Sequence, residues 1–406
     1  MEALSMLTAL AIVLVVGTLA VTIAARLKLP STLLLLACGI GLSYITYGGK
    51  ALMQFPPLFY TSLALVAVAL IVFDGAAALK LRELDTFSFK ALKHAFVFII
   101  LNVAVLSSAA HFVFGIDWLT ALIFSALVSN TNPGALLILF KNRKSSIVEL
   151  LNLESIFSIP ISVVLVFVFI ELQKGMLLGS VSVPSLLYLF FNKFIVGIGT
   201  GVLMALILFK LLQERKTKGK ISEWHSSQSR IYASIAIVVA ALLTFVLAEN
   251  LGGSGGVAAI ALGVVFGALK IKHNPSLIKF ESAESKLIFI LLFIIVGLIV
   301  QFPLNWEFVL ISGGLFVAHL IARYLAVTLS TRVNFKERIF ITMNCAKGIE
   351  TVALLLMVAV YSTPGSEFFI PGSATIVYLG FAFLIYSIAL STIFSLISKI
   401  AHEHMA

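Results

Sequence analysis

Ser129-Asn130-Thr131-Asn132-Pro133-Gly134 lies inside an otherwise apolar run from 118 to 140. A run of about 20 apolar residues is long enough to cross a hydrocarbon core as a helix. Two asparagines, a threonine, a proline and a glycine near its middle do not suit a lipid-facing helix. Pro133 removes a backbone donor and disfavours helix at the residue before it. The run therefore reads as a helix interrupted inside the membrane. Its freed carbonyls and amide oxygens line a cavity, because irregular backbone at that depth persists only where protein or water satisfies it.

The rest of the chain supports a polytopic membrane protein. It has 406 residues, 61% hydrophobic and 11% charged, where a soluble domain carries about 25% charged residues. Spans are predicted at about 4–25, 31–47, 57–79, 91–114, 118–140, 147–171, 184–211, 229–249, 255–271, 286–303, 307–331, 338–361 and 374–399, an all-α chain of about thirteen transmembrane helices. Pro30, Gly48-Gly49, Pro56-Pro57, Pro184, Gly252-Gly253 and Pro364 fall between them, as turn residues do. The first run, Leu4 to Ala25, lacks a preceding basic region and reads as a span, not a cleaved leader.

Charge orients the spans. Alternate connections carry Arg26 and Lys28, then Lys80, Arg82, Lys90 and Lys93, then Lys141, Arg143 and Lys144. The series continues through Lys210 to Arg230, Lys270 to Lys286, and Arg332 to Arg338, whereas the opposite connections hold only Lys50 and Lys174. By the positive-inside rule the N-terminus is outside and the C-terminus cytoplasmic, in a cell membrane. The net charge of +10 is thus topological and implies no nucleic-acid partner. Cys38 and Cys345 lie within spans without metal spacing and read as small apolar filler. No nucleophile, metal cluster or nucleotide loop points to an enzyme, and no cofactor or soluble regulatory domain is expected.

The division predicted is 1–211 as the first half with span 7 as linker, 212–228 as a basic cytoplasmic loop, and 229–406 as the second half. The halves echo one another. Leu33-Leu34-Leu35-Leu36-Ala37-Cys38-Gly39-Ile40-Gly41 of span 2 matches the alanine- and glycine-rich 258–267 of span 9, and 70–75 of span 3 matches 292–297 of span 10. Six helices, a linker and six more give two inverted repeats, the architecture of alternating-access transporters.

Asp74, Glu154 and Glu350 stand inside spans, with Lys193, Lys347 and Arg323. Each costs at least ~2.5–3.5 kcal/mol at a helix centre, so each is a functional candidate. At 1.5 Å per residue, Asn132 lies roughly 21 Å along span 5, Ser158 roughly 16 Å along span 6 and Glu350 roughly 18 Å along span 12. These levels converge near the midplane, and Asp74 lies nearer the cytoplasm. Lys347 and Glu350, at i and i+3, are expected to share one helix face, and Glu154 to stack with Ser158. Lys193 is expected to snorkel to headgroups, and His319 to be a packed or interfacial residue.

At these residues the sequence resembles the monovalent cation/proton antiporter superfamily, particularly its sodium/proton exchanger branch. The likeness runs through Phe73-Asp74-Gly75, Ser129 to Pro133, Glu154-Ser155-Ile156-Phe157-Ser158-Ile159-Pro160, 255–263 and Lys347-Gly348. It implies interrupted helices 5 and 12 crossing near the midplane, a moving core beside a dimerisation domain, and a homodimer in membrane lipid. It also implies exchange of sodium or potassium for protons. The chain departs from the family pattern where it matters. Thr131-Asn132-Pro133 stands for Thr-Asp-Pro, Ser158-Ile159 for a pair ending in aspartate, and Lys347 for an arginine. Glu350 stands where relatives usually carry a small or apolar residue. An exchange site would then centre on a water-reachable Glu350 with oxygens of Thr131, Asn132, Ser155 and Ser158, supported by Lys347, Glu154, Asp74 and Asn130. The alternatives are a carrier of another solute, a uniporter, or a non-transporting paralogue.

Overall fold

A computed structural model describes residues 2–27, 30–47, 50–51, 55–77, 86–132, 146–177, 183–213, 227–268, 283–299, 305–362 and 369–403. It is almost entirely helical. In chain order the helices are α1 (Glu2–Leu27), α2 (Ser31–Ser43), α3 (Pro57–Ala77), α4 (Thr86–Phe114), α5 (Trp118–Leu127), α6 (Ser146–Leu177) and α7 (Val183–Gln213). They continue with α8 (Ser227–Asn250), α9 (Gly255–Ala268), α10 (Ala283–Ile299), α11 (Trp306–Ser330), α12 (Phe335–Met343), α13 (Ile349–Val360) and α14 (Ser373–Glu403). Among the described residues, seven helices are long and apolar enough to cross a membrane, and six more are shorter and apolar. Each predicted span contains a helix, and span 12 contains two, α12 and α13. A two-stranded antiparallel hairpin, Thr46–Tyr47 with Lys50–Ala51, is the one departure from all-α structure among the described residues. Most of the basic loop 212–228 lies outside them.

The helices pack as two groups. One holds α4, α5, α6, α11, α12, α13 and α14; the other holds α1, α2, α3, α7, α8, α9 and α10. They meet where α3 touches α13 and α6, where α10 touches α13, where α6 touches α7 and α9, and where α14 touches α2. Glycine sets the closest approaches. A Cβ on Gly297 would lie 2.9 Å from the Gly39 Cα, so α10 and α2 cross backbone to backbone. A Cβ on Gly263 would lie 2.5 Å from the Phe73 carbonyl oxygen, so α9 and α3 do the same. The correspondence of span 2 with 9 and span 3 with 10 exchanges these two crossings, which fits the expected repeat without fixing its direction.

Candidate functional site

Both interruptions are built locally. Asp117 starts α5 by accepting from the Leu119 amide at 3.1 Å. The helix stops at Leu127 and the chain runs non-helically through Asn132, the residue before Pro133, where helix is disfavoured. Pro133 to Ser145 lie outside the described residues. A capping box of Asn334 and Glu337 starts α12. The chain leaves helix at Asn344 and re-enters at Ile349, with Gly348 as an extended N-cap. The two breaks lie side by side, and the Asn132 amide donates to the Ala346 carbonyl at 2.7 Å. The expected meeting of spans 5 and 12 at their interruptions is what the backbone presents.

Unwound backbone in a buried place needs partners. Ser387, Ser391 and Ser395, one turn apart on α14, supply many of them. Ser391 Oγ accepts from the Cys345 amide and donates to the Met343 carbonyl, both at 3.1 Å. Ser387 Oγ accepts from the Lys347 amide at 3.1 Å, and Ser395 Oγ donates to Asn344 Oδ1 at 2.8 Å. On the other break, Ser162 of α6 donates to the Ala126 carbonyl. These serines escaped the sequence reading; the four-residue spacing of the α14 set was the available signal.

Glu154 is fully buried and bound on both oxygens by Arg323 of α11: Nη1 to Oε1 at 2.7 Å and Nη2 to Oε2 at 3.0 Å. Arg323 also donates to the Ile341 and Asn344 carbonyls at 3.2 and 3.4 Å and lies over the Phe98 ring. Thr131 Oγ1 donates to Glu154 Oε1 at 3.1 Å, and His94 Nε2 stands 3.5 Å from Oε2. Thr131 therefore turns toward Glu154 and not toward Glu350. Ser155 and Ser158 donate to carbonyls of their own helix, at 2.7 and 3.5 Å, and not to Glu350.

Glu350 lies in the first turn of α13 and keeps 2% of its surface accessible. Its Oε1 accepts from the Gly348 amide at 3.1 Å and its Oε2 from Asn132 Nδ2 at 3.4 Å. Among the described residues no cationic side chain pairs with it; the acidic members of the ion pairs are Glu154 and Glu171. The expectation of a water-facing carboxylate is corrected for this conformation, which encloses it. The expected face-sharing with Lys347 is corrected too, because Lys347 lies in the non-helical break, where helical spacing does not apply. The Lys347 ammonium instead donates to the Asn130 carbonyl at 2.7 Å and reaches His319 Nε2 at 3.4 Å. Asn130 holds the breaks together further, accepting from Thr351 Oγ1 at 2.8 Å.

Two other residues fall elsewhere. Asp74 is half-buried on α3, and no hydrogen bond among the described residues joins it to the cluster. Lys193 of α7 pairs with Glu171 of α6, where snorkelling was expected. Ile159 lies near α3, its Cγ2 3.6 Å from where a Cβ on Gly75 would sit. Among the described residues no three His, Cys, Asp or Glu side chains gather as metal ligands. The cluster thus contains one carboxylate committed to an arginine and one that, among the described residues, is not.

This architecture has known counterparts. A sodium proton antiporter of Methanocaldococcus jannaschii, MjNhaP1, superposes with a TM-score of 0.76 at 20% identity, over 97% of this chain and all of that one. The K(+)/H(+) antiporter NhaP2 of Shewanella sp. (strain ANA-3) is 24% identical over 367 residues, 88% of this chain and 61% of the relative. The chain thus spans about three fifths of the length of that relative. The Na(+)/H(+) antiporter NhaH of Halobacillus aidingensis is 27% identical over 370 residues, 85% of this chain and 87% of that protein. The model of the transmembrane sodium/hydrogen exchanger family matches residues 10–400, and the chain, an integral membrane protein, belongs to that family.

Proposed function

We propose that this chain exchanges a monovalent cation, sodium or potassium, for protons by alternating access, with Glu350 as the seat of the cation. One observation carries the reading. Of the two carboxylates buried in the cluster, Glu154 is neutralised by Arg323, whereas Glu350 accepts from the Gly348 amide and the Asn132 side-chain amide and, among the described residues, pairs with no cationic side chain. A buried carboxylate without a cation partner attracts one. A proton on or beside Glu350 and a cation bound to it are alternatives, because a second positive charge in a low-dielectric site is strongly opposed. Asn132 already touches Glu350. Thr131, Ser155 and Ser158 supply further oxygens if their present hydrogen bonds exchange as the cluster opens, and Asp74 marks the cytoplasmic approach.

Alternating access would move the group containing α4–α6 and α11–α14 against the group containing α1–α3 and α7–α10. Inverted repeats divided as 1–211 and 229–406 by the loop 212–228, a homodimer, and a plasma-membrane setting with the N-terminus outside complete the proposal. The basic connections support the orientation. The relatives named as antiporters support the activity. The test is cation-evoked dye dequenching in proteoliposomes across pH. Wild-type protein moves protons on addition of sodium or potassium, and E350Q does not. Wild-type exchange in folded E350Q would reject Glu350 as the seat, and silence of folded wild-type protein at every pH would reject the activity.

A further inference from the structure

The charges of the central cluster nearly sort themselves into pairs. Glu154 and Arg323 cancel through two hydrogen bonds. Glu350 and Lys347 remain, 2% and 1% exposed, and the hydrogen bonds of each among the described residues go to neutral groups. Lys347 is thus a buried ammonium whose partners are the Asn130 carbonyl and an imidazole nitrogen.

The hydrogen-bond chain behind that imidazole sets its polarity. Ser129 Oγ donates to the Ser125 carbonyl at 2.6 Å, so it accepts from Asn102 Nδ2 at 2.9 Å. Asn102 Nδ2 also faces the Ser125 carbonyl at 3.5 Å, so the other end of the amide, Oδ1, is what faces His319 Nδ1 at 2.7 Å. His319 therefore carries hydrogen on Nδ1 and presents the Nε2 lone pair to Lys347. Phe98, Phe316 and Phe383 surround the ring, with centroids 5.6, 5.8 and 5.7 Å away, and hold it in that attitude. Two nitrogens 3.4 Å apart thus face one another across one dissociable proton.

We propose that Lys347 and His319 together hold the proton that leaves when a cation settles on Glu350. The proposal rests on Glu350 as the cation's seat and assigns the proton to the neighbouring nitrogens. With Lys347 protonated and Glu350 ionised, the two charges cancel. An arriving cation adds one positive charge. A Lys347 N–H bond then breaks, its electron pair stays on Nζ, and the proton passes to His319 Nε2 and on to water at the open face. Cation and ionised Glu350 then cancel beside a neutral nitrogen pair. When the cation leaves, a proton from water returns to the lone pair. The loaded forms carry equal charge, which a low-dielectric site favours, and no oxidant or co-reactant is needed.

The titratable and charged groups around the pair are Arg323 from α11, Cys345 from the break, Glu154 from α6 and Glu350 from α13. From α4 come Asn102 and, beyond Glu154, His94. From α5 comes the Asn130 carbonyl, and from α14 Ser387, with Tyr386 behind Phe316.

The test counts protons released per cation bound. Detergent-solubilised full-length protein in weak buffer with a pH indicator is titrated with sodium or potassium chloride, and binding is followed in parallel with radioactive sodium or rubidium. Wild-type protein is expected to release about one proton per cation. In K347R, whose guanidinium cannot shed its proton, and in K347Q the ratio falls to near zero. H319Q removes the Nε2 lone pair and moves the pH of half-release by about one unit or more, which a packing role alone does not do. An undiminished ratio in folded K347R and K347Q would overturn the proposal and leave the proton on Glu350. The E350Q variant separates the two ideas: if it binds cations like wild-type protein, the cation seat is wrong whatever the lysine variants do.

Discussion

Arg323 and Glu154, 169 residues apart in the chain, form a bidentate ion pair with both side chains fully buried. It ties α11 to α6, and through the Ile341 and Asn344 carbonyls it also ties both to the end of α12. Removing one partner strands a buried charge, which costs about 3–5 kcal/mol. R323M and E154M are each expected to lower the melting temperature of detergent-solubilised protein sharply. The double variant R323M/E154M should recover much of that loss, and additive losses would show that the residues act separately.

The pair at the other end of α6 should behave differently. Lys193 and Glu171 are 30% and 26% exposed, and partly exposed pairs contribute about 0–1 kcal/mol. K193M is expected to shift the melting temperature little. Because the pair joins the two helix groups, the variant should instead change the rate of exchange. A stability loss as large as that of R323M would contradict this.

Ser391 bonds two backbone groups of the break at once. S391A leaves a buried amide and a buried carbonyl without that partner, at about 1–3 kcal/mol for each unsatisfied group. The expected outcome is a lowered melting temperature and faster hydrogen exchange at 344–348, with S391T milder than S391A. Unchanged exchange in that segment would show that another group, such as water, satisfies it.

Gly348 faces the place where Glu350 meets Asn132. A Cβ there would lie 2.5 and 2.6 Å from the Glu350 carboxylate oxygens and would also strike Asn132 Nδ2. G348A should therefore push the carboxylate off Asn132 while leaving α13 and the Arg323–Glu154 pair in place. Cation affinity is expected to fall about tenfold or more, a loss of about 1.4 kcal/mol or greater, with a near wild-type melting temperature. Wild-type affinity in G348A would show that the Glu350–Asn132 contact is not part of the cation's seat.

Much of the fold was legible from composition alone, because lipid demands long apolar helices and short basic connections on one side. The break at Asn132-Pro133 was legible for the same reason: proline and amides at that depth have few explanations. The break at 344–348 was less so. Its polar residues were visible, but they fit a continuous helix equally well, and the i and i+3 spacing of Lys347 and Glu350 suggested a contact that non-helical backbone removes.

What the sequence by itself determined is that this chain crosses a membrane many times and buries Glu154, Glu350, Lys347 and Arg323 in it. Hydrophobic length and the cost of intramembrane charge are local properties, so they can be read residue by residue. Only the tertiary structure decided which charge neutralises which. Arg323 takes Glu154, Lys347 turns to His319 and Asn130, and Glu350 is left without a cationic partner among the described residues. Partnership between buried charges depends on distances across packed helices, and here those follow from two unwound breaks laid side by side and held by serines of another helix.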